Sequence, residues 1–306
     1  AEREQVTVAA TLPAFYDQPT ATQMAVGKSQ MWITGTRIGR YELQINTGKV
    51  VRDWSLHELD TFIGKPYSAD DALVYARVLR GSSAIRITAP TPKLGEEIWR
   101  TEKLPASWAT PVMLSLPTGK RELVFNVAKT VYGFDPQDGK KLWECAYGGD
   151  VAFGSVTVDG DTVYVSGGNS RKATAAIRGG GRGDVTDTHL LWEIKKASKI
   201  PTLLIHERLL YCIGDGGIAR CLRPASGEIV YEQRLSRIYP WASPVVAKNK
   251  IYVVGKGRVV VRAVGPDYKE LAVNETIDGG RFHATPAVDG DKLLIRSDTF
   301  LYCVGR

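Results

Sequence analysis

The sequence predicts an all-β chain, a seven-bladed β-propeller of four-stranded antiparallel blades closed by its own N-terminal strand. A recurring phrase, a recurring turn and an incomplete last repeat point to it. The phrase is Ser/Thr-Pro-Val, a short gap, then a hydrophobic triplet. It reads Thr110-Pro111-Val112 before Leu123-Val124-Phe125, Ser155-Val156-Thr157 before Val163-Tyr164-Val165, Ser243-Pro244-Val245-Val246 before Ile251-Tyr252-Val253, and Thr285-Pro286-Ala287-Val288 before Leu293-Leu294-Ile295. Weaker copies make the equivalent positions Met24, Ala69, Pro111, Val156, Thr202, Pro244 and Pro286. Short-strand repeats of about 40–45 residues are propeller blades. The turn is a glycine followed four residues later by a large ring, as in Gly95 to Trp99, Gly139 to Trp143 and Gly227 to Tyr231. Glycine supplies the turn, and the ring covers the gap between neighbouring blades.

Taken in chain order, residues 4–12 read as a strand that completes the last blade, and blades start near residues 21, 66, 108, 153, 199, 241 and 283 of one domain spanning 1–306. The first two repeats are weak. The fourth departs from the pattern: Gly167-Gly168-Asn169 and Gly179-Gly180-Gly181-Arg182-Gly183-Asp184 lie between its strands. That segment lacks the Lys-Ser/Thr ending of a P-loop and shows no following helix, so a structural turn is the better account. In the fifth, Cys212 and Cys221 flank Asp215-Gly216-Gly217. A two-residue hairpin there would set the cysteines face to face, so a disulfide and a pair of buried free thiols are both compatible. The sixth is the clearest, with strands at 242–247, 250–255, 258–264 and 269–275, turns at Lys248-Asn249, Lys256-Gly257 and Pro266-Asp267, and an Arg258-Val259-Val260-Val261-Arg262 alternation expected to show one polar face. The seventh stops after three strands, and borrowing residues 4–12 would close the ring and remove an open edge.

Of 306 residues, 43% are hydrophobic and 24% charged, ordinary for a folded chain. The net charge of +7 favours anionic partners, but Lys and Arg are scattered through every repeat, which argues against nucleic acid. No stretch is long and apolar enough to span a bilayer. The polar start Ala1-Glu2-Arg3-Glu4 is compatible with a mature exported chain, periplasmic or extracellular, taken as a monomer by default. The four cysteines form no Cys-x-x-Cys, which sets aside a zinc ribbon and a haem attachment.

The run Gly181-Arg182-Gly183-Asp184-Val185-Thr186, with Thr188-His189, Trp192, Leu210-Tyr211, Gly217-Ile218, Cys221-Leu222, Ser226-Gly227-Glu228, Ala242-Ser243-Pro244-Val245, Ala284-Thr285-Pro286-Ala287, Ile295-Arg296 and Leu301-Tyr302-Cys303, resembles the PQQ-like (pyrroloquinoline-quinone-like) β-propeller repeat proteins abundant in planctomycetes and related bacteria. The likeness is strong over residues 105–306. More distantly the repeat is similar to BamB, the propeller lipoprotein of the outer-membrane barrel-assembly machine. The resemblance implies a fold with more force than a function. Quinoproteins of this superfamily carry adjacent cysteines and a calcium-binding Glu/Asn/Asp set; neither can be placed on this sequence. No cofactor is therefore expected, neither pyrroloquinoline quinone nor calcium.

Other chemistry is equally unsignalled. His57, His189, His206 and His283 fall in different repeats, and no Gly-x-Ser-x-Gly elbow occurs. What remains is a surface. The d–a and b–c loops of a propeller share one face, and rigidly held loops there commonly bind partners. The d–a loops supply Trp108, Phe153, Lys199, Tyr239, Trp241, Arg281 and His283, and the b–c loops Arg37, Arg80, Arg171 and Lys256. Aromatics beside Arg suit a protein, peptide or sugar anchor; the other account of these rings is that they plug the funnel or pack between blades. The expected role is a non-catalytic exported platform for a protein or an anionic cell-surface polymer. The alternative is an enzyme, either a quinone-dependent dehydrogenase or a polysaccharide-acting propeller.

Overall fold

The computed structural model describes residues 107–275, 278 and 280–305 in full. Between Gln5 and Pro105 it describes the strands, with the side chains of Trp99, Thr101, Leu104 and Pro105. Among these residues lie seven sheets, each with four antiparallel strands and one with a short fifth strand as well. In chain order of their first strands, the first sheet runs Gln23–Val26, Gln30–Gly35, Gly39–Gln44, Val50–Trp54, and the second Thr61–Ala69, Ala72–Val78, Ala84–Pro90, Glu97–Pro105. The third is Val112–Ser115, Arg121–Val127, Thr130–Phe134, Lys141–Ala146, and the fourth Thr157–Asp159, Thr162–Gly167, Ala173–Arg178, Leu190–Ile194. The fifth is Leu204–His206, Leu209–Ile213, Ile218–Leu222, Ile229–Arg234, and the sixth Val245–Ala247, Lys250–Gly255, Arg258–Ala263, Glu270–Asn274. The seventh joins Ala287–Asp289, Lys292–Arg296 and Phe300–Gly305 to Gln5–Thr11, which pairs antiparallel with Phe300–Gly305 as the N-terminal stretch predicts.

The sheets form where local chemistry asks for them. Lys248 and Asn249 take left-handed φ of 46° and 59°, the two-residue turn whose twist suits a hairpin, and Val245–Ala247 pairs with Lys250–Gly255 across it. Inner strands are rich in apolar residues because both faces are covered: in Arg121–Val127 every residue after Arg121 is buried, Glu122 and Asn126 among them. Outer strands are the reverse, and Glu270–Asn274 is exposed at four of its five positions.

The chain divides into two compact units, Thr20–Lys195 and Ala1–Pro19 with Lys196–Arg306. In the first, the second and third sheets enclose Trp99, Leu123, Phe125 and Phe134, and the third and fourth enclose Leu114, Val124, Trp143, Val163 and Ile177. The other unit packs its fifth sheet on the sixth around Tyr211, Cys221 and Val253, and the sixth on the seventh around Val254, Phe282, Leu293 and Tyr302.

The Ser/Thr of the repeated phrase links one sheet to the next. Thr110 N donates to Ser155 Oγ at 2.9 Å, Thr202 N to Ser243 Oγ at 2.9 Å, and Ser243 N to Thr285 Oγ1 at 3.1 Å. These bonds, with the pairings Leu204↔Tyr211 and Val245↔Tyr252, correct the repeat register: Thr202 matches Ser243, so Leu203 rather than Thr202 is the equivalent of Pro244.

The ring after each turn glycine fills a joint as expected. Trp99 packs on the third sheet, with Nε1 donating to Pro136 O at 2.9 Å. A Cβ added to Gly139, whose φ is +71°, would lie 2.3 Å from the Trp99 ring. Three expectations need correction. Gly183–Asp184 is a strand, added in parallel to Lys141–Ala146 at Trp143 and Glu144, and a one-turn helix, Thr186–His189, follows it. Cys212 pairs with Arg220 and Cys221 with Tyr211, so the two thiols point to opposite faces and form no disulfide with each other. The cause is a longer turn than the expected two residues, closed by Gly214 N to Ile218 O at 2.8 Å. Finally Arg262, expected on a polar face, is fully buried.

Candidate functional site

The d–a and b–c loops are tied together in both units. Asp150 Oδ1 accepts from Asn169 N at 2.6 Å and its Oδ2 from Ser170 N at 3.1 Å; these amides hold its carboxyl below the usual range. Asp215 Oδ1 accepts from Lys199 N at 3.2 Å, and Asp298 Oδ1 from Arg281 N at 3.1 Å. The two loop sets therefore share an end of the sheets, and short carboxylate bridges fix their backbones.

On this frame the repeat brings rings together in pairs. Trp108, 50% exposed, stacks on Phe153 with centroids 4.7 Å apart and planes at 21°. The other unit repeats the arrangement: Trp241, 52% exposed, stacks on His283 at 4.5 Å and 21°. Each of these four residues lies two positions before the hydroxyl residue of its repeat, so the sheet-to-sheet links set successive copies side by side. The same count places Ile200, not Lys199, in the fifth repeat, a residue that the repeat spacing missed because its register there is off by one. Lys199 is half-buried.

Tyr239, 50% exposed, carries the Lys256 ammonium over its ring at 5.3 Å. Arg281 and His283 are exposed. Partial burial and then the charge of Arg281 push the His283 pKa below its usual value, against the opposing pull of Asp298. Lys256, Tyr239, Trp241, His283 and Arg281 thus form one chain of neighbours in the Lys196–Arg306 segment. Arg171 is exposed in the Thr20–Lys195 unit, while Arg37, Arg80 and His57 lie outside the described residues.

Two buried polar clusters escaped sequence reasoning. Glu122, 1% exposed, accepts from Trp143 Nε1 at 2.7 Å, Gly180 N at 3.0 Å and Arg182 Nη1 at 3.0 Å, which docks the glycine-rich segment onto the third sheet. Arg262 sits against Tyr231 and Tyr268, its guanidinium 5.2 and 4.6 Å from the two ring centroids. Its Nη2 donates to Tyr231 Oη, and its Nε and Nη1 have no hydrogen-bond partner among the described residues. Burial raises the Tyr231 pKa to about 12. Only the Glu122 cluster had a signal in the sequence, a carboxylate directly before the apolar triplet Leu123-Val124-Phe125.

Among the described residues no group of three or more His, Cys, Asp or Glu is placed to hold a metal ion, and no helix is long and apolar enough to cross a membrane. No curated protein matches the sequence. Solved structures share the fold. The crystal structure of BamB from Moraxella catarrhalis matches with a TM-score of 0.59 at 15% identity, over 99% of this chain and 100% of that one. That of the computationally designed Ika8 protein matches with a TM-score of 0.57 at 11% identity, over 94% and 96%. The family model described as outer membrane protein assembly factor BamB matches residues 19–233 and 83–306, and with that the chain belongs to this family of PQQ-like β-propellers.

Proposed function

We propose that the chain is a non-catalytic exported propeller, a rigid platform that holds another protein at its loop face in the cell envelope. The observation that carries this reading is the pair of half-exposed tryptophans, Trp108 and Trp241, each stacked on the ring of the next repeat. Half-exposed indoles held rigid by a neighbouring ring are the side chains that dominate protein interfaces, because little conformational entropy is lost when they are covered. Membership of a family described as an outer membrane assembly factor supports both the protein-binding role and the envelope location.

The seven sheets are read as seven blades of a single ring, latched by Gln5–Thr11 on Phe300–Gly305. Deleting residues 1–12 should then destabilise the chain cooperatively, not only at its ends. A single unfolding transition at unchanged temperature in the truncated protein would remove the latch from the reading.

Capture from solubilised envelope tests the platform. Trp108→Ala and Trp241→Ala should keep the far-ultraviolet circular dichroism of the wild type and lose the captured partner, whereas Arg178→Gln, at the exposed far end of its strand, should retain it. Equal capture by all four proteins would end the assignment.

A further inference from the structure

The strip Lys256, Tyr239, Trp241, His283, Arg281 has a chemistry of its own. A cation stands at each end and three rings lie between, linked by the Lys256 contact to Tyr239 at 5.3 Å, two residues of chain from Tyr239 to Trp241, the stack of Trp241 on His283 at 4.5 Å, and two residues of chain from His283 to Arg281. The loops hold these parts in place: a Cβ on Gly255 would meet Pro240 Cα at 2.8 Å, so the b–c and d–a segments are already in contact.

The strip offers donors and ring faces but few acceptors. Asp298 accepts from Arg281 N and Asp215 from Lys199 N; Asp278 accepts from Ser297 Oγ, Gly280 N and Tyr302 Oη. Ser243 Oγ and Thr285 Oγ1 accept the sheet-to-sheet amides. Residues 235–243 and 280–285 contain no Asn or Gln. A sugar polymer needs acceptors for its many hydroxyl donors, and of the five side chains of the strip just the Tyr239 hydroxyl and the His283 ring can accept. A side-chain carboxylate needs only donors, and an apolar or aromatic side chain needs only a ring face.

Resting on the platform reading above, we propose that this strip binds an extended peptide segment of a partner protein, one that presents carboxylates at both ends of a short apolar stretch. The carboxylates meet Lys256 and Arg281, and the apolar side chains cover Tyr239, Trp241 and His283. An extended chain turns alternate side chains to one face, so the matching pattern has period two.

The test uses the full chain and a fluorescein-labelled peptide of sequence Asp-Ser-Phe-Ser-Leu-Ser-Asp, followed by anisotropy. The same peptide with Asn for Asp and an oligogalacturonate competitor serve as the other arms. Binding is expected to weaken about thirtyfold in Trp241→Ala, as for a central aromatic anchor, and up to about fivefold in each of Lys256→Gln and Arg281→Gln, as for exposed charge pairs. It should weaken further with added salt and with the Asn peptide, while thermal melts stay unchanged because every altered side chain is exposed. Undiminished binding to Trp241→Ala, or tighter binding of oligogalacturonate than of the peptide, would overturn the proposal. Peptide binding lost in Trp108→Ala but kept in Trp241→Ala would refute the strip and leave the platform standing. Failure of the wild type to bind the peptide, with partner capture still lost in Trp241→Ala, would refute the peptide chemistry alone.

Discussion

Replacing Glu122 should cost more stability than its position on an ordinary strand suggests. The Trp143 indole is fully buried, and its N–H reaches Glu122 Oε2 at 2.7 Å. In Glu122→Ala that donor loses its acceptor at a cost of about 1–3 kcal/mol. Gly180 lies at the surface, so its amide turns to water and forfeits only the net worth of a bond to a charged acceptor, about 1.5–3 kcal/mol. The Arg182 side chain is 54% exposed and its loss of a partner adds little. The sum is about 2.5–6 kcal/mol, which at roughly 2 °C per kcal/mol lowers the midpoint by about 5–12 °C. Glu122→Gln keeps one acceptor for the indole and should lose about half as much. Urea and thermal unfolding by circular dichroism give the comparison. A Glu122→Ala protein within about 1 kcal/mol of wild type, or an Arg182→Ala protein equally destabilised, would show that the carboxylate does not organise this corner.

Other perturbations follow from the same contacts. His283 binds its proton less readily in the folded chain than at the usual value of 6.5, so just below that pH the unfolded chain holds more protons and stability should fall as pH is lowered. Peptide binding should weaken over the same window, because the apolar side chain that covers His283 disfavours the imidazolium. A His283→Gln protein with unaltered pH profiles would refute both. Arg262→Met should be neutral or stabilising in urea titrations, since it removes a buried charge whose Nε and Nη1 lack partners and leaves a thioether against Tyr231 and Tyr268; a loss above about 3 kcal/mol would mean that the guanidinium pays for its burial. Burial raises the pKa values of Cys145 and Cys221 to about 11, so a thiol reagent at pH 8 should find Cys303 first and reach the buried thiols only after denaturation, four in total. Fewer than four after denaturation without reductant would show a disulfide.

The readable parts of the sequence were those where one local force dominates. Lys250–Gly255 and Arg258–Ala263 were legible because strands covered on both faces carry apolar runs, Ile251 to Val254 and Val259 to Val261, and Lys248-Asn249 must turn. Trp108 with Phe153 and Trp241 with His283 stack alike because a repeat carries position with it. The cysteine register failed by one residue, since Gly214 to Ile218 closes a longer loop that no neighbouring side chain announces. The role of Gly179 to Asp184 was hidden because its partners, Glu122 and the strand Lys141–Ala146, belong to another repeat. Arg262 was misplaced for the same reason: alternation along its own strand says nothing about Tyr231, which arrives from the fifth sheet.

The rim tryptophans stand apart from the residues that hold neighbouring sheets together. At the described joints that task falls to hydroxyl links such as Ser243 N to Thr285 Oγ1 and to outer-strand rings such as Trp99 against Gly139. Where Tyr231 takes the tryptophan's place, Arg262 and Tyr268 complete the joint from the sixth sheet. Trp108 and Trp241 lie outside this machinery, and about half of each remains in contact with water. A smaller polar residue at either position would leave the links and the core unchanged and would improve solubility. Large exposed rings at equivalent positions, each backed by the ring of the next repeat, therefore fit recognition better than folding, and Trp241→Ser should separate the two by abolishing capture at full stability.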